Sequence, residues 1–261
     1  MSLHAQMFAV LAAGAILMAG PAFAQPKPTV VLVHGAFADS GSWNGVIKKL
    51  ESDGYPVIGA ANPLRSVKGD ADYVSTILSS VKGPVVLVGH SYGGAVISGA
   101  AKGHDNVKAL VYVAAFAPDA GESAIELSGK FPGGTLGSAL SQPVRLPDGG
   151  NDFYIDQAKF RDQFAADVPV PQAKLMAAGQ RPVAEAALKE PAGAPAWKTI
   201  PSWFVYGSAD KNIPAAALEW MARRAGSKET VVVKGASHVV MVSHPGTVAK
   251  LIKQAARTAG N

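Results

Sequence analysis

The feature that most constrains this fold is a regular alternation of two kinds of segment after residue 28. Continuous apolar runs rich in β-branched residues predict strands buried on both faces. They lie at 29–36, 55–60, 84–89, 107–116, 202–207 and 230–235. Apolar residues at helical spacing predict helices between them. These lie at 43–54, 70–81, 93–102, 214–226 and 246–257. The alternation predicts an α/β fold with a mostly parallel sheet flanked by helices.

The composition fits a single globular domain with a sizeable core. The chain has 261 residues, of which 48% are hydrophobic and 16% charged, and it contains no cysteine. Its net charge of +5 is scattered as single residues and pairs such as Lys48-Lys49. Scattered charge indicates solvated helix faces, so we expect no nucleic-acid partner.

The first 24 residues predict an export signal. An apolar run at 8–18 is interrupted by Gly20-Pro21, and Ala22-Phe23-Ala24 has the small-x-small spacing of a signal-peptidase site. The run is shorter than the ~20 residues that cross a bilayer. We therefore expect residues 1–24 to be removed, leaving an exported chain, periplasmic or secreted, with no stable membrane anchor.

One interval departs from the alternation. Residues 119–200, about eighty positions, separate two predicted strands, whereas a βα connection takes ~2–6 residues plus its helix. Helix-like patterns occur within it at 156–168 and 172–180. Ligands of open α/β sheets bind at the carboxyl ends of the strands. We therefore expect an α/β core of residues 25–118 and 201–261, and a cap or lid formed by 119–200.

A serine between two glycines follows the third predicted strand. Gly89-His90-Ser91-Tyr92-Gly93 fits G-x-S-x-G, a sharp turn from strand to helix that raises the serine hydroxyl above the sheet. The serine backbone is strained in such a turn, and a side chain at either glycine would collide with the adjoining strand or helix. A buried strand before the motif and a helix after it supply the required context. Ser91 is therefore the predicted nucleophile.

A base and an acid follow two other predicted strands. His238 follows the last strand, and Asp210 follows the preceding one within a G-x-x-D-x-x-I-P pattern. The chain order Ser, Asp, His is the order of a hydrolase triad on this architecture. Asp119, after the strand at 107–116, is the rival for the acid. His34 flanks one catalytic turn, and we expect it, like His90, to form structural hydrogen bonds.

Backbone amides near Ser91 are predicted to stabilise a developing oxyanion. The loop after the first strand begins with His34-Gly35, and we expect its donor to be the amide of Ala36. Phe37 is the alternative donor if the loop is offset by one, and also a predicted substrate contact. The amide of Tyr92 is the second predicted donor.

Four motifs carry a resemblance to a known family: VLVHGAFADSGSW, VGHSYGGAV, VYGSADKNIP and GASHVVMVSHP. They resemble the small α/β-hydrolases, the group of plant methylesterases, hydroxynitrile lyases and bacterial pyrethroid-type carboxylesterases, over residues 28–258. The resemblance implies an α/β-hydrolase fold and a serine hydrolase that cleaves small, largely apolar carboxylic esters through an acyl-enzyme. It implies no metal, no organic cofactor and no partner besides the ester.

Alternative functions differ at a few residues. A cofactor-free perhydrolase or haloperoxidase shares the triad and stays an alternative. A hydroxynitrile lyase is expected to carry Thr and Lys where this chain has Gly35 and Val239. The triad disfavours a receptor that binds its ligand without turnover. Apolar residues of the insertion are expected to line an acyl or alcohol pocket or to pack the insertion itself: Phe153, Tyr154, Phe160, Phe164, Leu175 and Met176.

Overall fold

A parallel sheet of six strands lies at the centre of the computed structural model, which describes residues 27–259. In chain order the strands are β1 (Thr29–Val33), β2 (Val57–Ala60), β3 (Val85–His90), β4 (Val107–Val113), β5 (Val144–Arg145), β6 (Asn151–Phe153), β7 (Val183–Ala184), β8 (Ser202–Gly207) and β9 (Thr230–Val233). The large sheet has the order β2-β1-β3-β4-β8-β9, and every neighbouring pair is parallel. The α/β prediction is confirmed.

Helices of the large-sheet unit flank this sheet: α1 (Asn44–Ser52), α2 (Val67–Ser80), α3 (Tyr92–Ala100), α9 (Ala215–Arg224), α10 (Val240–Ser243) and α11 (Pro245–Ala259). The insertion holds α4 (Ala124–Gly129), α5 (Leu136–Ala139), α6 (Gln157–Phe164), α7 (Val170–Ala178) and α8 (Glu185–Lys189). Helices α1 and α11 pack together, as do α2 and α3. Helix α2 begins three residues before the predicted start, because the Ser66 side chain accepts from the amide of Gly69 and caps it.

The central strands are continuous apolar runs because helices cover both of their faces. Every residue of β3 and β8 is buried, whereas the edge strand β9 alternates between exposed and half-buried residues. The predicted strand at 107–116 ends early at Val113. Ala114 has a φ of 44°, which is incompatible with a continuing strand.

The insertion at 119–200 contains a second, three-stranded sheet, which the sequence did not predict. Its order is β5-β6-β7, and both pairs are antiparallel. The predicted helices at 156–168 and 172–180 correspond to α6 and α7. Helix α6 ends at Phe164 because Ala165 leaves the helical conformation.

Polar contacts attach the insertion to the large-sheet unit at several points. Arg65 forms an ion pair with Asp152 at 2.6 Å, and Arg224 forms one with Glu122 at 2.7 Å. Glu190 accepts the amide of Val67 at 2.5 Å, at the first turn of α2. The insertion is therefore fixed by side chains that reach across from both units.

The predicted export signal, residues 1–24, lies outside the described residues. Within residues 27–259, no helix combines the length and the apolarity that crossing a bilayer requires.

Candidate active site

The backbone at Ser91 is strained, as the motif predicts. Ser91 lies between β3 and α3 with φ 53° and ψ −123°, a conformation that costs a non-glycine residue on the order of 1–3 kcal/mol. A Cβ added at Gly89 would lie 2.6 Å from the carbonyl oxygen of Gly93, and one at Gly93 would lie 2.6 Å from that of Val33. Both obstacles are backbone atoms, so the predicted need for glycine at these positions is confirmed.

Backbone hydrogen bonds hold Ser91 in this conformation. Its carbonyl oxygen accepts from the amides of Gly94 at 2.9 Å and Phe116 at 3.1 Å. Its own amide donates to the carbonyl oxygen of Val113 at 3.2 Å. The strained turn is therefore supported by β4 and the loop after it.

His238 and Asp210 form a hydrogen-bonded pair. The distance from His238 Nδ1 to Asp210 Oδ2 is 2.7 Å, and both side chains are fully buried. The other carboxylate oxygen of Asp210 accepts the amides of Asn212 at 2.8 Å and Ile213 at 3.0 Å. These bonds fix the carboxylate in one orientation, and the carboxylate in turn fixes the imidazole.

The second ring nitrogen of His238 is the atom left for proton exchange. His238 Nε2 is buried and has no hydrogen-bond partner among residues 27–259. The hydroxyl of Ser91 therefore does not bond to it in this structure. Catalytic hydrogen bonds are often long in the free enzyme and tighten only in the substrate complex. The structure thus joins His238 to Asp210 and leaves Nε2 without a hydrogen bond to any of residues 27–259.

Two rings pack against the imidazole of His238. The centroid of His90 lies 4.8 Å from it and that of Phe164 5.2 Å. His90 Nε2 donates to the carbonyl oxygen of His238 at 3.2 Å, and burial lowers the pKa of His90 well below its usual value. The imidazole of His238 is therefore held between these two rings and the Asp210 carboxylate. Phe164 was predicted only as a pocket or packing residue, because nothing in the sequence shows that α6 reaches His238.

The other candidate residues have different partners. Asp119 accepts from Lys198 at 2.5 Å and from the amide of Ala120, and these contacts, Lys198 foremost, lower its pKa. It is thus engaged away from His238. His34 accepts the amide of Asn62 at 3.1 Å, and burial lowers its pKa. The structural hydrogen bonds expected of His34 and His90 are confirmed.

The predicted oxyanion donors lie beside Ser91. The amides of Ala36 and Tyr92 donate to no acceptor within residues 27–259. The amide of Phe37, the alternative donor, donates to the carbonyl oxygen of Arg181 at 3.0 Å and is therefore engaged. The loop approaches Ser91 closely, since a Cβ at Gly35 would lie 2.6 Å from the Ser91 Cβ.

A cavity of about 190 Å³ is lined by Ser91, Ala36, Phe37 and Tyr92 from one side. From the insertion it is lined mainly by apolar side chains, including Ile125, Leu136, Leu140, Phe153 and Leu188. Of the apolar residues singled out in the insertion, Phe153 therefore lines this cavity. Phe160 and Phe164 are fully buried in packing, and Tyr154 does not line the cavity.

Leu175 and Met176 line a different groove, of about 320 Å³, against the loop after β1. No group of three or more Asp, Glu or His side chains within the described residues could hold a metal ion.

A sequence model of the alpha/beta hydrolase family matches residues 30–251. The chain belongs to the alpha/beta hydrolase family. This alpha/beta hydrolase is 29% identical over 247 residues to a pyrethroid hydrolase of Sphingobium wenxiniae, covering 85% of each chain. It is 25% identical to the alpha-hydroxynitrile lyase of Arabidopsis thaliana, over 84% of this chain and 93% of the relative.

Solved structures show the same fold. A crystal structure of polyneuridine aldehyde esterase superposes with a TM-score of 0.76 at 20% identity, covering 87% of this alpha/beta hydrolase and 98% of the esterase.

Proposed function

We propose that this alpha/beta hydrolase cleaves carboxylic esters of small, largely apolar substrates, with Ser91 as nucleophile, His238 as base and Asp210 as orienting acid. The observation that carries the proposal is the buried Asp210–His238 pair, whose Nε2 has no partner among residues 27–259. A serine held at a φ of 53° lines a mostly apolar cavity, and the ring of the residue before it, His90, packs against that of His238. The esterases and hydrolases among its relatives support the same reaction class.

The first half of the reaction forms an acyl-enzyme. His238 Nε2 accepts the proton of the Ser91 hydroxyl while Oγ attacks the ester carbonyl carbon. Asp210 keeps the Nδ1 proton in place and stabilises the imidazolium that forms. The amides of Ala36 and Tyr92 donate to the resulting oxyanion. The C–O bond to the alcohol then breaks, and His238 returns the proton to the leaving oxygen.

Water completes the cycle. His238 removes a proton from the water as its oxygen attacks the acyl carbon, and the Ser91 oxygen leaves with that proton. No step needs a metal or an organic cofactor.

Residues 119–200 serve as the cap in this proposal, because their apolar side chains form one wall of the cavity. Export through residues 1–24 would bring the enzyme to esters outside the cytoplasm, and the N-terminal sequence of the secreted protein tests it.

Hydroxynitrile lyase chemistry is disfavoured by the first loop. A Cβ at Gly35 would lie 2.7 Å from the carbonyl oxygen of His90 as well as 2.6 Å from the Ser91 Cβ. Threonine could therefore not occupy this position without a backbone shift. We expect no release of cyanide from mandelonitrile.

Steady-state hydrolysis of p-nitrophenyl acetate and p-nitrophenyl butyrate tests the proposal. The purified protein is expected to turn over many equivalents, and the kcat of Ser91→Ala to be lower by on the order of 10⁴-fold or more. A hydrolase-fold receptor would release at most one slow equivalent of p-nitrophenol. That result, or full activity in Ser91→Ala, would contradict the proposal.

A further inference from the structure

We propose that the side-chain amide of Asn212 is a specificity determinant: it donates a hydrogen bond to a second carbonyl oxygen, on the part of the ester that fills the cavity beside Ser91. This inference rests on the proposed function. The ester's own carbonyl oxygen goes to the amides of Ala36 and Tyr92, so Asn212 would recognise a further oxygen, such as that of a ketone.

The orientation of the Asn212 amide follows from a chain of hydrogen bonds. Gln163 Nε2 donates to the carbonyl oxygen of Lys211 at 3.0 Å and to Asn212 Oδ1 at 2.8 Å. Because a backbone carbonyl can only accept, the nitrogen of Gln163 must face this way. Gln163 Oε1 correspondingly accepts from the hydroxyl of Thr135 at 2.8 Å. Asn212 therefore presents its oxygen to Gln163 and its NH₂ group elsewhere.

The NH₂ group of Asn212 is left for a ligand. Asn212 is only 4% exposed and lines the cavity beside Ser91. Its Nδ2 donates to no protein acceptor within residues 27–259, yet it is not among the completely enclosed atoms that lack a partner. The nitrogen therefore has accessible surface, and we infer that it faces the cavity that Asn212 lines. A buried donor of this kind is unfavourable until an acceptor meets it.

The other polar side chains at the cavity are already engaged. The hydroxyl of Ser128 donates to the carbonyl oxygen of Ile125 at 2.9 Å, and that of Tyr92 donates to Asp70 at 2.9 Å. The Ser91 hydroxyl is the proposed nucleophile. In an otherwise apolar cavity, the Asn212 amide is thus the side-chain donor that can select one oxygen-bearing substrate over a hydrocarbon of the same shape.

Two pairs of isosteric esters test this inference. The acyl pair is p-nitrophenyl 4-oxopentanoate and p-nitrophenyl 4-methylpentanoate; the alcohol pair is 4-oxopentyl acetate and 4-methylpentyl acetate. In each pair the ratio of kcat/KM, oxo over methyl, reports the hydrogen bond. For one pair, we expect this ratio to exceed the ratio of the rate constants for base-catalysed hydrolysis of the same two esters. That pair shows whether the acyl part or the alcohol part of the ester fills the cavity.

Two variants remove the donor while differing in their risk to folding. Asn212→Asp keeps an oxygen for Gln163 Nε2 and turns an acceptor toward the cavity, so the ratio should fall about tenfold or more. Asn212→Leu removes the donor without adding charge, and the ratio should fall about fivefold. The matched control is Ser128→Ala, whose hydroxyl is already bonded, and its ratio should equal that of the wild type.

The outcomes separate the two proposals. Suppose that the wild type hydrolyses the two 4-methyl-substituted substrates but does not prefer the oxo substrate of either pair, or that both Asn212 variants keep this preference. The role of Asn212 is then overturned, while the esterase function stands. If the wild type hydrolyses none of the four esters, the proposed function fails and the inference fails with it.

Discussion

The large-sheet unit and the insertion at 119–200 contribute to the site in different ways. The large-sheet unit supplies Ser91, Asp210 and His238, each after a strand end. A strained turn between close-packed glycines holds Ser91, and hydrogen bonds hold Asp210 and His238. The insertion supplies side chains, among them Phe153 at the cavity and Phe164 against His238. Substitutions of these three residues in the large-sheet unit should therefore lower the turnover of every ester. Substitutions of the side chains from the insertion should instead change which ester is preferred.

The largest effect is expected from removing the proposed nucleophile or the proposed base. Ser91→Ala and His238→Ala should each lower kcat by on the order of 10⁴-fold or more, equally for p-nitrophenyl acetate and butyrate. Equal losses show that chemistry alone was removed. A loss confined to butyrate would instead place these residues in substrate selection.

Replacing the proposed acid, Asp210, should lower kcat by a somewhat smaller factor. Asp210→Asn leaves His238 without its carboxylate partner, and kcat should fall on the order of 10³- to 10⁴-fold. Asp119→Asn is the matched control, because that carboxylate pairs with Lys198, and its kcat should stay within about threefold of the wild type. If the two variants exchanged these results, the acid assignment would be wrong.

Alanine substitutions of glycines should change the free energy of unfolding differently in the two units. Gly93→Ala brings a Cβ to 2.6 Å from the Val33 carbonyl oxygen, and we expect about 1–3 kcal/mol of destabilisation. Gly129, at the end of α4, has nothing within 4 Å of an added Cβ, so Gly129→Ala should be neutral or slightly stabilising. Urea unfolding measures both, and equal destabilisation would mean that close packing does not distinguish the units.

Enlarging the cavity from the insertion should alter selectivity by a smaller factor. Phe153→Ala removes an aromatic wall, so kcat/KM for p-nitrophenyl octanoate relative to acetate should rise about threefold to tenfold. Leu175→Ala is the control from the separate groove and should leave this ratio unchanged. An unchanged ratio in Phe153→Ala would show that acyl chains do not enter this cavity.

The smallest effect is a pH dependence of stability that originates outside the insertion, which contains no histidine. Burial lowers the pKa of His34 and His90, so below about pH 6.5 the unfolded chain binds more protons than the folded one. Stability should therefore fall from pH 7.5 to 5.5, seen as a lower urea midpoint. His90→Gln, which can still donate to the His238 carbonyl, should weaken this pH dependence. An unaltered pH dependence in this variant would contradict the contribution assigned to His90.

The sequence predicted the large-sheet unit better than the insertion for a physical reason. Buried parallel strands are continuous apolar runs, so all six were found, with errors at ends such as Val113, where a positive φ at Ala114 stops the strand. The strands β5 and β7 have two residues each, too few to show any periodicity. The second sheet was therefore not predictable.

For the candidate site, too, one part could be predicted from the sequence and another part could not. Ser91, Asp210 and His238 each follow a strand, and local motifs together with chain order suggested their roles. The bond from Phe37 to Arg181, the packing of Phe164 on His238 and the link from Gln163 to Asn212 join residues far apart in sequence. No local pattern marks such contacts, so only coordinates reveal them.

Covalent labelling tests the central claim most directly. A fluorophosphonate reacts with a serine hydroxyl only when a neighbouring base activates it. Incubation with this reagent, followed by intact-mass and peptide analysis, should show one adduct per chain, on Ser91, and labelling should be strongly slowed in His238→Ala. An adduct on another residue, or an active enzyme that remains unlabelled at Ser91, would contradict the account.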